Sequence, residues 1–253
     1  MKETTNKGVK LIEKDDLKVY AQVKMARSGM PEHIIFYKKE HDEIINHLIA
    51  HECGHILRTF SAPEDKRVVP TTNPNIRKTV SKEVEADIKR LSSIISLQDL
   101  YYLIDIWHNG IIQQLTSFPP DIMIEKWIYD NYPELRSYQH ESIKRQNDSA
   151  VAVLSNNIKT STPLKIYKAS NIMNYAFFNI LGRLIGIDLI KPYARTPYVK
   201  RGKKLVSLTE ENYHNSYEGD IEMINLWAEF LGLSNWFEWA SFEKIPMNYA
   251  NSV

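Results

Sequence analysis

A single cysteine, Cys53, stands in 253 residues, which excludes an internal disulfide framework and fits a reducing compartment. Net charge is nearly missing as well: 32 Lys+Arg against 31 Asp+Glu leave +1 at pH 7, so no whole-molecule field draws the chain to nucleic acid or to an anionic membrane. Long apolar runs are also lacking. The most apolar later stretch, 171–190, is interrupted by Asn174, Asn179, Arg183 and Asp188, whereas a membrane span needs about 20 mainly apolar residues. It reads as a core helix. The polar, lysine-rich first 16 residues lack the apolar segment of a secretory signal, which points to the cytoplasm. What is present is ordinary globular composition, 43% apolar and 25% charged, enough for a real core.

Up to residue 40 the apolar residues fall in short runs. Residues 9–12 form one, and Leu17, Val19, Ala21, Val23 and Met25 alternate with polar neighbours in the period-two manner of a half-buried strand. Ser28-Gly29 supplies a turn, and 32–37 is rich in β-formers. A small antiparallel or mixed sheet is expected here. His33 and His41 flank its last strand and read as surface residues. Over 43–60 the period becomes helical, with Ile44, Ile45, Leu48, Ile49, Ile56 and Leu57 as buried stripes.

Inside that helix lies His51-Glu52-Cys53-Gly54-His55. Residues four apart share a helix face, so His51 and His55 can present two imidazole nitrogens to one metal ion while Glu52 projects beside them. Setting them among aliphatics is costly unless they bind something or are hydrogen-bonded. The pattern is that of a zinc hydrolase: two nitrogen ligands, and a carboxylate next to the open coordination position to take a proton from metal-bound water. His47 lies one turn earlier on the same stripe, but Leu48 follows it instead of Glu, so it opens no second motif. Gly54 costs the helix about 1 kcal/mol relative to Ala, which predicts a close neighbour. Cys53 points off the 51/55 face and reads as a small core residue.

A catalytic zinc takes three protein ligands and a water. Position 61 is Ser and no histidine follows before His108, so a three-histidine continuation is absent and the third ligand should be acidic. Residues 81–91 read as a helix with Val84, Ile88 and Leu91 in its core stripe and Glu83 and Asp87 four apart on another face. Glu83 can bind the metal, and Asp87 can accept a hydrogen bond from a ligand histidine and fix its tautomer. Glu85 is the competing ligand. His-Glu-Cys-Gly-His followed by Glu-Val-Glu-Ala-Asp resembles the gluzincin peptidases, and the Glu-x-Glu-Ala-Asp form is similar to that of the ImmA/IrrE family of soluble bacterial metallopeptidases. The resemblance covers about residues 9 to 97. It implies a zincin-like core, Zn2+ held by His51, His55 and Glu83, Glu52 as general base and Asp87 behind a ligand. It further implies hydrolysis of a protein or peptide substrate, held by backbone pairing to the strand before the motif helix. Residues 61–80, with three prolines and no periodicity, read as a loop over the cleft; lacking glycine, it is no phosphate-binding loop.

Beyond residue 97 the helical period dominates. Helices are expected over 98–108, stopping at Asn109-Gly110; over 121–129, opened by Pro119-Pro120; and over 133–156, 170–185 and 220–231. Trp236, Phe237 and Trp239 read as core aromatics. Residues 198–208 read as a hairpin turning at Gly202, whose Lys200, Arg201, Lys203 and Lys204 form a short basic cluster that can meet nucleic-acid phosphates. The expected fold class is α+β, with a zincin-like core over 1–97 and a mostly helical region over 98–253 packed on it. The expected activity is that of a zinc-dependent endopeptidase, with His214 and Tyr213 as candidate oxyanion donors alongside His108 and His140. Two alternatives are a regulatory or binding protein on the same fold without proteolysis, and a peptidase controlled by nucleic acid through the basic hairpin.

Overall fold

The short apolar runs near the N-terminus pair as strands. In the computed structural model, which describes residues 1–17, 19–39 and 43–245, a short helix α1 (Lys2–Thr5) leads into β1 (Gly8–Glu13), β2 (Ala21–Lys24) and β3 (Glu32–Tyr37). β1 runs parallel to β3 and β2 antiparallel to its other side, so the sheet is mixed, in the order β1-β3-β2. The 32–37 strand is therefore the centre of the sheet, and the edge that meets the next helix is β2. His33 is wholly buried in that central strand, where its Nδ1 accepts the Ala26 N–H at 3.1 Å and its ring stands edge-on to Phe60. His41 lies outside the described residues.

The helix α2 (Ile44–Ser61) covers the sheet, burying Ile56 and Phe60 with Val23, Met25 and Ile35 and, from the far end of the chain, Phe242. The 61–80 segment is more than a loop. It holds β4 (Val68–Thr71), paired antiparallel with β5 (Glu238–Ser241), and the start of α3 (Pro74–Glu83). Asn73 caps α3 by accepting the N–H groups of Asn75 and Ile76, with Pro74 in the first turn. The helix expected over 81–91 does not form as one piece. Val84, 1% exposed in the main core, leaves helical geometry at φ −106°, ψ 15°, and separates α3 from α4 (Glu85–Leu91). On either side of it, Glu83 and Asp87 turn to neighbouring partners, Lys165 and the Leu164 N–H.

Next comes α5 (Leu97–Asn131), 35 residues that continue through the expected stop at Asn109-Gly110 and the expected helix start at Pro119-Pro120. Two prolines remove the N–H groups that the carbonyls of Leu115 and Thr116 would use. Burial of Leu115, Phe118, Ile122, Ile124 and Ile128 outweighs that loss. The later half is mostly helical: α6 (Arg136–Ala152), α7 (Asn156–Ser161), α8 (Leu164–Ile185), α9 (Val199–Asn212) and α10 (Tyr217–Leu231). The apolar 171–190 stretch falls largely in α8, which is buried along much of its length, and no helix among the described residues is long and apolar enough to cross a membrane. The expected basic hairpin is α9. Its Gly202 makes no turn; it lets α9 lie against α8, since a Cβ there would stand 2.3 Å from Cδ1 of Tyr175. Trp236 and Phe237 are buried in the main core, as their aromatic character predicts. That core draws Val80 and Val84 together with α5, α8 and α10, and the β4–β5 ribbon ties residues near 70 to residues near 240.

Candidate metal centre

The site is built by one face of α2 and one face of α5. Histidines 47, 51 and 55 recur every four residues on α2 and so line up on one side. Asp121 and Glu125, also four apart, line up on α5. The two rows interleave as a ladder. His47 Nε2 is 3.0 Å from Glu125 Oε2, His51 Nδ1 is 2.8 Å from Glu125 Oε1, and Asp121 Oδ1 lies 3.4 Å from His51 Nε2 and 3.1 Å from His55 Nε2. Gly54 lets the helices approach this closely: a Cβ there would sit 2.5 Å from Cγ2 of Ile124. The near neighbour expected at this glycine is thus a side chain of the partner helix.

At one end of the ladder, His51 Nε2, His55 Nε2 and Asp121 Oδ1 make a triangle with edges of 3.1, 3.1 and 3.4 Å. Ligand atoms about 2.0–2.2 Å from a tetrahedral ion stand roughly 3.3–3.6 Å from one another, so the edges are close to those of three corners of such a shell. The hydrogen bonding agrees. Asp121 Oδ1 is buried without a hydrogen-bond partner despite the two nearby imidazoles. The His51 and His55 Nε2 atoms face each other at 3.1 Å, where at most one can carry a proton to the other. A cation satisfies all three at once. The three residues form a His-His-Asp group within metal-binding distance.

Glu125, 4% exposed, supports the group from behind. It accepts from His47 and His51 and from Gln139 Nε2 on α6 at 2.5 Å, and the same Gln139 amide reaches the Glu125 carbonyl at 2.8 Å. Donation from His51 Nδ1 to Glu125 leaves the His51 Nε2 lone pair for the metal. Burial pushes the Glu125 pKa up, but the facing His47 and His51 imidazoles outweigh it and hold the carboxyl well below its ordinary range. Asp121 follows the same logic with His51 and His55. His51 moves the opposite way: burial pulls its pKa down, and Asp121 and Glu125 more than reverse that. Glu52 lies beside the cluster on the β2 side. Burial raises its pKa against the pull of His55 and His51 and of the Val23 N–H that it accepts.

The structure brings together His51, Glu52 and His55, and leaves the other expected participants elsewhere. Glu83 is held by Lys165 and by the Trp236 indole N–H, at 3.0 Å. Asp87 accepts the Leu164 N–H at 2.8 Å, at the start of α8, and pairs with Arg90. Asp121 occupies the position expected for Glu83, and Glu125 the one expected for Asp87. Glu85 pairs with Lys89 on the surface. Tyr213 lies near the cluster, but its hydroxyl is held between the Pro119 carbonyl, at 2.6 Å, and Asp220. His214 is an exposed turn residue, His108 is buried against the Trp236 carbonyl at 2.7 Å, and His140 stacks on Tyr129. Lys200, Lys203 and Lys204 are exposed on α9, while Arg201 lies over the Phe230 ring and donates to the Phe230 carbonyl.

Sequence reasoning missed Asp121, Glu125 and His47. Two signals carried them: the third histidine four residues before His51, and an acidic pair four apart within an apolar helical period. No protein-family model, curated protein or solved structure matches the chain.

Proposed function

We propose that the chain is a zinc-dependent peptidase of zincin type, with His51, His55 and Asp121 as ligands and Glu52 as general base. The observation that carries this reading is the three-cornered ligand group with the half-buried Glu52 carboxylate beside it. Two imidazoles and one carboxylate suit zinc and leave a position open, and they also suit ferrous iron. Glu52 favours the hydrolytic ion, because oxygen chemistry does not need an adjacent proton acceptor. Bound zinc would acidify a water molecule and polarise a peptide carbonyl.

The chain's own residues supply the rest. Glu52, its pKa raised by burial, accepts the proton of the attacking water and returns it to the leaving amine. Glu125 fixes the His51 ring, and Gln139 and His47 in turn fix Glu125. The outer edge of β2 lies next to Glu52. Tyr20 pairs inward, its carbonyl accepting from Lys38 at 3.2 Å, so Ala21 and Val23 turn their backbone groups away from β3; the Val23 N–H is taken by Glu52, which leaves the Ala21 groups and the Val23 carbonyl for an extended substrate.

Metal analysis by mass spectrometry should find zinc, not iron, at one equivalent per chain. Zinc-loaded protein should cleave a mixed peptide library, and Glu52→Gln should abolish cleavage while keeping the metal. A zinc-loaded wild type that leaves the library intact removes the peptidase reading. A second reading, a metal-binding regulator, would then stand. The extension of the ladder to His47 favours it, since those added contacts stabilise a helix pair whether or not catalysis follows.

A further inference from the structure

A cavity of about 80 Å³ opens beside His55, a corner of the metal-binding triangle, and Pro120, the residue before Asp121. Its walls are Met25, Val69, Pro70, Ile221, Ile224 and Phe242. Most of the polar side chains among its lining residues already have hydrogen-bond partners. Arg58 grips Asp220 through Nε at 2.7 Å and Nη2 at 2.6 Å, so the only charged pair there cancels. Thr116 donates to the Ile112 carbonyl at 2.9 Å; Tyr217 both accepts from the Val68 N–H, at 2.8 Å, and donates to the Val68 carbonyl, at 3.0 Å; and the Trp239 indole donates to Asn225 at 2.9 Å. A polar or charged group entering the cavity would be desolvated with little in return. An apolar one would fit.

Volume narrows the choice. A cavity of about 150 Å³ lined by aliphatic residues admits benzene, and this one has about half that space. It has room for a three- or four-carbon branched side chain and excludes an aromatic ring. Position then connects it to the cluster. His55 is at once a corner of the triangle and a wall of the cavity, and Met25, just past the end of β2, is another wall, so the cavity adjoins the place where a bond held at the cluster would lie.

We infer that this cavity is the subsite for a valine, leucine or isoleucine side chain flanking the bond to be cut. The inference rests on the peptidase reading and adds the class of residue that the site selects.

Calorimetric titration of zinc-loaded protein with three hydroxamates tests it without any turnover. Acetohydroxamate reports the metal alone, leucine hydroxamate adds the branched side chain, and phenylalanine hydroxamate adds a ring. Leucine hydroxamate should bind about 10- to 100-fold tighter than acetohydroxamate, the range for burying one leucine side chain, and phenylalanine hydroxamate should show no such gain. Val69→Phe, at a partly exposed strand position, should erase the leucine advantage. Ile224→Ala should transfer it to the phenylalanine compound. Equal binding of all three hydroxamates overturns the subsite while leaving the metal and peptidase readings intact. Failure of acetohydroxamate itself to bind overturns the metal reading, and the subsite with it.

Discussion

The two helices that make the site both contribute side chains to it, yet only one could be read from the sequence. On α2, His51, Glu52 and His55 are fixed relative to one another by helix geometry alone, so five residues state their own arrangement. On α5, Asp121 and Glu125 mean nothing until the fold sets them opposite α2, some 66 residues away in sequence. The acidic pairs 83/87 and 121/125 have the same spacing, and what separates them is company. Glu83, Glu85 and Asp87 sit among lysines and arginines and find Lys165, Lys89 and Arg90. Around Asp121 and Glu125 the only basic residue is the exposed Lys126, and apolar neighbours fill the rest, so the buried histidines are what remain to satisfy them. An acidic pair poor in local countercharge and set in an apolar period is the better candidate for a distant ligand.

The most direct way to break this comparison is to remove one member from each pair. Asp121→Asn should lower metal affinity by more than the roughly 10- to 100-fold typical of residues behind a ligand, and Glu83→Gln should leave it unchanged; equilibrium dialysis against zinc with mass-spectrometric counting separates the two. The opposite outcome would restore the nearer pair to the site. Glu125→Gln should cost about 10- to 100-fold in zinc affinity without changing stoichiometry, because it only orients His51. Gly54→Ala should cost about 1–3 kcal/mol in chemical denaturation, the usual penalty for overpacking, and Ile124→Ala should recover part of it if the contact between helices is the cause.

The smallest effect lies outside the helix pair. Burial, with Lys7 and Arg67 nearby, lowers the His33 pKa from 6.5 to about 4. As pH falls, the unfolded chain takes up this proton first, so the contribution to stability is full above pH 6.5 and is lost as pH drops through 4. At pH 5.5 the loss is on the order of 1 kcal/mol. His33→Gln should remove this part of the pH dependence, read from denaturation at pH 7.5 and 5.5; a slope identical to the wild type would show that His33 titrates normally.

Much of the fold was legible for the same reason that α2 was. Short apolar, alternating and β-former-rich runs became β1 to β3, and the interrupted apolar stretch became a buried helix, since both depend on neighbours a few residues apart. The failures share the opposite cause. Proline and glycine punctuation suggested a stop at 109–110, a new helix start at 119–120 and a turn at 202, but burial of α5 and close contact between α8 and α9 overrode each signal. Val84 did the reverse, breaking an apparently continuous helix to keep its side chain in the core. Backbone preferences of about 1–3 kcal/mol yield where several large side chains are buried together.

Gly54 has a consequence for how the two helices find their alignment. The histidines and carboxylates repeat at the same four-residue interval, so they act as a ruler with identical divisions: α5 displaced by one turn, about 5.4 Å, would still set Asp121 against His47 and His51. Such a ruler measures distance but does not mark zero. The notch at Gly54 occurs once on this face, and only one placement of Ile124 fits it. The residue without a side chain thus chooses among positions that the charged residues cannot tell apart.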